Sequence, residues 1–248
     1  MIIAVNGKIN SGKDTVGKII QCVSSFPQDS TESIARMITS GYSCDSTWEI
    51  KKFAGKLKTI ASILTGIPVE KFEDQDFKKT YLGPEWDKIV MKGSGLRQDG
   101  INGPKTPEIE KMTVRDLLQK LGTEALRNNL HENVHINALF ADYKEKFVGG
   151  YPVYDTTDTG ERIPVDYLKV VQSPNWIITD LRFINEFEAI KSKGGYTVRV
   201  TRPGTSKGTH PSEIELDSYS FDYEIENKGS IEELIEKVKE ILGSIKRF

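Results

Sequence analysis

The chain is poor in cysteine, histidine and long apolar runs, and each shortage removes a class of function. Cysteine occurs twice in 248 residues, as Cys22 and Cys44, and histidine three times. No Cys-x-x-Cys pair and no Cys/His cluster has the spacing of a zinc site or a disulfide framework. Both cysteines are therefore expected to be small buried apolar residues. No apolar stretch approaches the ~20 residues that cross a bilayer. The sequence opens directly on the strand-like Ile2-Ile3-Ala4-Val5 without a basic leader, so a cytoplasmic protein with no membrane partner is expected. Charge of one sign is missing too. With a formal net charge of −2 and an isoelectric point near 6.0, no global field draws the molecule to a nucleic acid polymer or to anionic lipid. A small anionic ligand needs only local positive charge.

What the chain does have is an alternation of apolar strands with amphipathic helices. Strands are expected at residues 2–5, 48–53, 176–179, 196–201 and 223–226. Helices are expected after the first glycine loop, around Leu57, Ile60, Ala61 and Leu64, from Thr113 onward, over 134–147, over 185–193, and from the capping sequence Ser230-Ile231-Glu232-Glu233. Residues 24–33, 68–111 (above all 91–107) and 149–174 are polar or broken by Gly and Pro and read as loops, with 155–162 resembling a hairpin tip. This predicts an α/β fold: a single domain over residues 1–248 in three α/β/α layers around a mainly parallel five-stranded sheet, with helical substrate-binding and lid insertions and polar insertions near 68–111 and 149–174. Ligands belong at the carboxyl ends of such strands.

The most specific motif lies at the first of those ends. Gly7-x4-Gly12-Lys13 follows a strand and opens a helix, the context a P-loop requires. Glycines let the backbone wrap an anion, loop N–H groups and the helix N-terminus face phosphate oxygens, and the lysine adds a full charge. Gly7, Asn10, Ser11, Gly12, Lys13, Asp14 and Thr15 are the candidate triphosphate contacts. Asp14 stands where the common pattern has a hydroxyl for Mg2+, and Thr15 comes one residue later. A water-mediated Mg2+ contact from Asp14 or Thr15 is therefore expected.

Transfer of a phosphate to a second anion needs further cations to screen repulsion. Lys56 and Lys58 flank a helix start. Arg115, Gln119, Thr123 and Arg127 lie four apart, which on an α-helix makes one stripe fit to read a base edge and a phosphate. Asp180 and Arg182 follow a buried strand, where the carboxylate steadies metal-bound water or the attacking oxygen and the arginine binds phosphate. Glu186 is placed to accept from a sugar or base, or else to cap its helix. Arg199 and Arg202 are candidates to cover adenine or phosphate, and Thr209-His210 lies in a polar loop suited to a lid.

Taken together, residues 7–15, Phe53-Ala54-Gly55-Lys56-Leu57-Lys58, residues 114–124, Asp180-Leu181-Arg182 with Glu186, Arg202-Pro203-Gly204 and Thr209-His210 resemble the deoxynucleoside monophosphate kinases of large tailed bacteriophages. The resemblance implies the nucleoside monophosphate kinase fold, ATP with Mg2+, and an acceptor among dGMP, dTMP and a cytosine deoxynucleotide. It implies Lys58 as an acceptor contact, Asp180, Arg182 and Glu186 as the acceptor and catalytic cluster, and residues 12–15 as the ATP site; with the residues read above, the catalytic candidates are Lys13, Asp180 and Arg182, and Arg202 joins the ATP contacts. Leu57, Lys58, Gln119, Thr123, Arg127, His135, Asp180, Arg182, Glu186 and Thr209 become acceptor contacts, His135 standing where related chains often place Trp. A homodimer is possible on the same ground, and a phage origin implies the host cell's cytoplasm. Two other classes stay open: a kinase of another small phosphorylated metabolite, and a non-enzymatic nucleotide-binding module. Against a GTPase-like module, Asn227-Lys228-Gly229-Ser230 lacks the acid of a guanine-reading motif and reads as a turn and helix cap.

Overall fold

The structure, a computed structural model, describes residues 1–93, 105–205 and 215–245. Its elements run β1 (Ile2–Gly7), α1 (Lys13–Ser25), α2 (Thr31–Thr39), β2 (Trp48–Lys51) and α3 (Gly55–Thr65). Short 3-10 turns then lead to β3 (Lys88–Gly93), β4 (Lys105–Glu110), α4 (Val114–Gln119) with a π-helical continuation (Lys120–Asn128), and α5 (Val134–Phe140). The chain ends with β5 (Lys146–Thr156), β6 (Arg162–Gln172), β7 (Asn175–Leu181), α6 (Ile184–Ser192), β8 (Tyr196–Thr201), β9 (Tyr223–Glu226) and α7 (Ile231–Ser244). They form two compact units, one from Met1–Phe53 with Ile136–Phe248, the other Ala54–His135.

The first unit holds the expected parallel sheet, in the order β2-β7-β1-β8-β9. Strand alternation sends Ile3, Val5, Ile177, Val198 and Val200 to one face, where they meet Val16, Ile19 and Ile20 of α1 and Ile235 and Val238 of α7. Ile2, Ala4, Trp176 and Ile178 go to the other and meet Ile136 and Leu139 of α5 and Phe187 and Ile190 of α6. Both faces are covered, which is why the strands are near-continuous apolar runs. All five strands expected from the sequence are present. No helix among the described residues is long and apolar enough to cross a membrane.

Several expectations are corrected. Residues 31–39, the first three of which fell in the expected loop 24–33, form α2, started by Ser30 accepting from the Ser33 amide and buried through Ile34 and Ala35. Residues 91–93 and 105–107, and much of 149–174, belong to two antiparallel ribbons, β3 with β4 and β5 with β6, rather than to loops, while 94–104 lie outside the described residues. Only the hairpin tip, expected at 155–162, was anticipated, and it spans 157–161. The helix expected over 134–147 stops at Phe140, because the turn 140–144 delivers Lys146 to β5. Cys22 and Cys44 are bonded to each other rather than free. The cause is local: the Gln21 amide donates to the Trp48 carbonyl (2.8 Å) and the Ser25 hydroxyl to that of Asp45 (3.0 Å), drawing the chain beyond α2 back along α1.

The second unit packs Ala61, Phe72, Val114 and Leu117 into its own small core. Of the face expected on α3, Ala61 is buried and Leu57 half-buried, but the other two positions are not covered. Ile60 and Leu64 are exposed while Lys58 is buried, which its ion pair with Glu73 at 2.6 Å permits. α4 opens with a reciprocal Thr113/Asp116 capping box. Its turns widen beyond Gln119, so the apolar seam read at α-helical spacing runs out and Ala125 is exposed.

Candidate functional site

Between β1 and α1 the chain makes the cradle that the glycine spacing implied. Asn10 and Gly12 both take left-handed backbone angles (φ 64° and 97°). A Cβ on Gly12 would lie 2.5 Å from the Asn227 amide nitrogen. A Cβ on Gly7 would meet the Ser11 hydroxyl and lie 2.8 Å from the Val200 carbonyl. Only glycine tolerates both positions. The loop is tied internally by the Ser11 amide on the Lys8 carbonyl (3.1 Å) and externally by the Asn227 side chain on the Ser11 carbonyl (2.8 Å). No side chain caps α1, so the first-turn N–H groups of this 13-residue helix lack an intrahelical partner. The Ser11 hydroxyl, fully buried, has no hydrogen-bond partner among the described residues. A buried unmatched hydroxyl, an open helix N-terminus and glycine clearance fit an enclosed phosphate chain.

Charges gather around Lys13. Burial, the largest cause, holds its ammonium below the ordinary lysine value, and Arg182 and Lys52 push the same way while Asp14 and Asp180 oppose them. Burial works against the Asp14 carboxylate too. There, however, Lys52, the Thr179 hydroxyl (2.9 Å) and Lys13 prevail and hold its carboxyl below the ordinary value. Asp180 sits near the end of β7 and accepts from the Phe53 amide at 2.8 Å. Glu186 is 2% exposed and spends one oxygen on the Arg182 and Phe183 amides (3.0 and 3.2 Å), which caps α6.

Beside the cradle lies a cleft of about 220 Å3 lined by Asn6 to Ile9, Arg182, Arg199 to Arg202, Thr205 and Asp217. Arg182, Arg202 and Lys8 bring positive charge to it. Arg199 is fixed in place, stacked on Phe221 at 4.3 Å and donating to the Leu216 and Asp217 carbonyls. Asp217 faces Lys8 at 3.7 Å. Thus the first unit brings together Gly7, Asn10, Ser11 and Gly12 of the loop with Lys13, Asp14 and Thr15 of the first turn of α1, and Asp180 and Arg182 are in electrostatic reach of Lys13. Sequence reading missed Lys52, Thr179, Asn227 and Asp217. Only Lys52 carried a signal, as a cation at the end of the second strand.

The remaining expected residues belong to the second unit: Leu57, Lys58, Gln119, Thr123, Arg127 and His135. Leu57 packs on Gly122, and the Gly122 carbonyl lies 3.0 Å from Nε2 of His135, a nitrogen that must carry the proton to donate there. Gln119 and Thr123 are exposed, and Arg127 is half-buried. Thr209 and His210 lie outside the described residues. Among the described residues, no three His, Cys, Asp or Glu side chains are grouped to hold a metal ion.

Comparison with known proteins bears on what this cradle serves. The chain is 31% identical over 134 residues to the deoxynucleotide monophosphate kinase of Enterobacteria phage T4, an overlap of 54% of this chain and 46% of the relative. It is 31% identical over 137 residues to a putative deoxynucleotide monophosphate kinase of Acanthamoeba polyphaga mimivirus, covering 51% and 59%. The counterpart from Escherichia phage RB69 is 30% identical over 131 residues, covering 52% and 45%. The chain spans about half the length of the curated relatives it matches. The family model for deoxynucleotide monophosphate kinase matches residues 96–238. That stretch is more than half of the sequence and includes the β7 and β8 ends beside the cradle, and the chain belongs to the deoxynucleotide monophosphate kinase family.

Proposed function

We propose that this protein transfers the terminal phosphate of ATP to a deoxynucleoside monophosphate, giving the diphosphate by direct in-line displacement with no covalent enzyme intermediate. The observation that carries this reading is the uncapped N-terminus of α1 facing a glycine loop, with the half-buried Lys13 ammonium ringed by Arg182, Lys52, Asp14 and Asp180. A phosphoryl group in flight spreads charge over its equatorial oxygens, and fixed cations stabilise it without reorganising. Lys13 and the loop amides hold the donor phosphates. Arg182 bridges donor and acceptor. Asp180, steadied by the Phe53 amide, orients the attacking phosphate oxygen. The acceptor is already an anion at neutral pH, so no strong general base is required.

Mg2+, bound with the nucleotide, would supply neutralising charge to the donor phosphates. Asp14, Thr15 and Asp180 are the oxygen donors that would hold it. Asp14 already accepts from Thr179 and pairs with Lys52 at 3.3 Å, which favours contact through water. In the second unit, the acceptor reading assigns contacts to Leu57, Lys58, Gln119, Thr123, Arg127 and His135, with dGMP, dTMP or a cytosine deoxynucleotide as the ligand.

Nucleotide-dependent ADP release, measured over matched ribo- and deoxyribonucleoside monophosphates and over other small phosphorylated metabolites, tests the reading. Turnover should require a deoxynucleoside monophosphate. ATP binding without acceptor-dependent turnover, or turnover only with an unrelated phosphorylated metabolite, refutes it.

A further inference from the structure

The turn Asn227-Lys228-Gly229-Ser230 joins β9 to α7 and reads no guanine base, yet its first residue reaches the cradle. Across 216 positions of sequence, Asn227 donates its side-chain amide to the Ser11 carbonyl at 2.8 Å. A carbonyl only accepts, so the nitrogen end of that amide must face it. The same nitrogen sits so close over Gly12 that a Cβ there would lie 2.5 Å from it.

Asn227 is itself held from both sides. Its backbone N–H donates to the Thr201 carbonyl at the end of β8 (2.7 Å). Three residues on, Ser230 accepts from the Glu233 amide at 3.3 Å and caps α7. The side chain therefore projects from a turn fixed by a strand pairing on one side and a capped helix on the other.

Peptide planarity turns this contact into a consequence for ligand binding. Across a trans peptide the C=O of one residue and the N–H of the next point to opposite sides of the bond. With the Ser11 carbonyl fixed outward on Asn227, the Gly12 N–H is turned inward, to the side where α1 opens and where the buried Ser11 hydroxyl has no partner among the described residues. A peptide that precedes glycine is also the easiest kind to flip, because no Cβ resists the change in φ. Gly12, at φ 97°, is such a residue.

We infer that Asn227 is a positioning residue for the phosphate cradle: its amide clamps the Ser11–Gly12 peptide so that the Gly12 N–H already faces the place of a phosphate oxygen before any nucleotide binds. A donor aimed in advance stabilises the anion without reorganising. A donor that must first be turned and ordered gives back part of its hydrogen bond.

The inference rests on the cradle being a phosphate site, as the proposed function requires, and inorganic tripolyphosphate without metal probes both, with no acceptor and no turnover. Titration calorimetry should show the parent binding it. Asn227→Leu, close in shape but without a donor, should weaken binding by about 10-fold, a large part of one hydrogen bond to a charged acceptor. Asn227→Ala carries the same expectation should the leucine protein not fold. Ser230→Ala is the control for a merely structural role: it removes the α7 cap, so it should lower the urea midpoint and leave tripolyphosphate affinity unchanged. In isotope-labelled protein the Gly12 amide proton should move downfield when tripolyphosphate saturates the parent, and much less when it saturates Asn227→Leu. Parental affinity in a folded Asn227 variant, or equal losses of affinity in that variant and in Ser230→Ala, would overturn the clamp and leave the cradle standing. A parent that fails to bind tripolyphosphate would overturn the clamp and the phosphoryl-transfer reading together.

Discussion

Two helices of the first unit begin at the carboxyl ends of neighbouring strands, and their N-termini are treated in opposite ways. α6 is closed: Glu186 takes the Arg182 and Phe183 amides, and Glu215 takes the Ile184 amide at 3.0 Å. α1 is open, with Gly12 at its cap and no side chain on its first amides. Helix N-termini attract negative charge wherever it comes from. In α6 the protein supplies that charge itself, while in α1 it leaves the position to a ligand. The contrast separates structural from ligand-directed use of the same physics, and substitutions at each end can break it.

The largest effect is expected at the open end. Lys13→Ala removes a full charge that acts mainly on the charge developing during transfer, so turnover should fall by about 10^3-fold. The unfolding midpoint should hardly change, because a lysine whose ammonium is disfavoured by burial contributes little to folding. Parental turnover by a folded Lys13→Ala protein would remove the basis of the proposed function.

At the closed end the balance should invert. Glu186→Ala leaves two amides without their acceptor and should cost ~1–3 kcal/mol, read as a lowered urea midpoint. Glu186→Gln retains an acceptor oxygen and should lose about half as much. Turnover should change far less than for Lys13→Ala. If Glu186→Gln instead raises KM for the acceptor at unchanged stability, the carboxylate serves the substrate and the contrast between the two ends fails.

How much of this was readable beforehand follows the range of the interactions. The sheet strands are apolar on both faces, a signal carried by single residues, and all five were found. The cradle was legible for the same reason, since Gly7, Gly12 and Lys13 are fixed in one short segment. The ribbon of β5 and β6 was not, because Gly149, Gly150, Pro152 and Pro164 read as breakers. Gly150 is in fact the floor on which Tyr167 lies, and a cross-strand contact leaves no local trace. α2 was missed although Ser30 and the pair Ile34 and Ala35 offered a cap and a buried step. Asn227 and Asp217 meet the cradle from more than 200 residues away in sequence, and no spacing rule reaches them. Lys58 was read as a surface or ligand lysine because its partner, Glu73, comes from a turn that sequence reading left as loop.

The smallest effect sharpens the comparison through pH, because the open end also carries a carboxylate. Asp14 is held below its ordinary value of 3.8: burial opposes the shift, but Lys52, Thr179 and Lys13 outweigh it. A group whose carboxyl is depressed on folding stabilises the native state above its unfolded pKa. That stability is lost as pH falls through the folded value. The stability gap between the parent and Asp14→Asn should therefore be constant from pH 7 down to about 5 and close below 3.8. More than half of the Asp14 side chain is exposed, so the gap should stay under ~1 kcal/mol and shrink with added salt. For Glu186, buried and bonded to backbone amides, salt should hardly matter. A salt-insensitive gap at Asp14 would mean that its carboxylate is a structural fixture like Glu186, and that the N-terminus of α1 is not left open for a ligand after all.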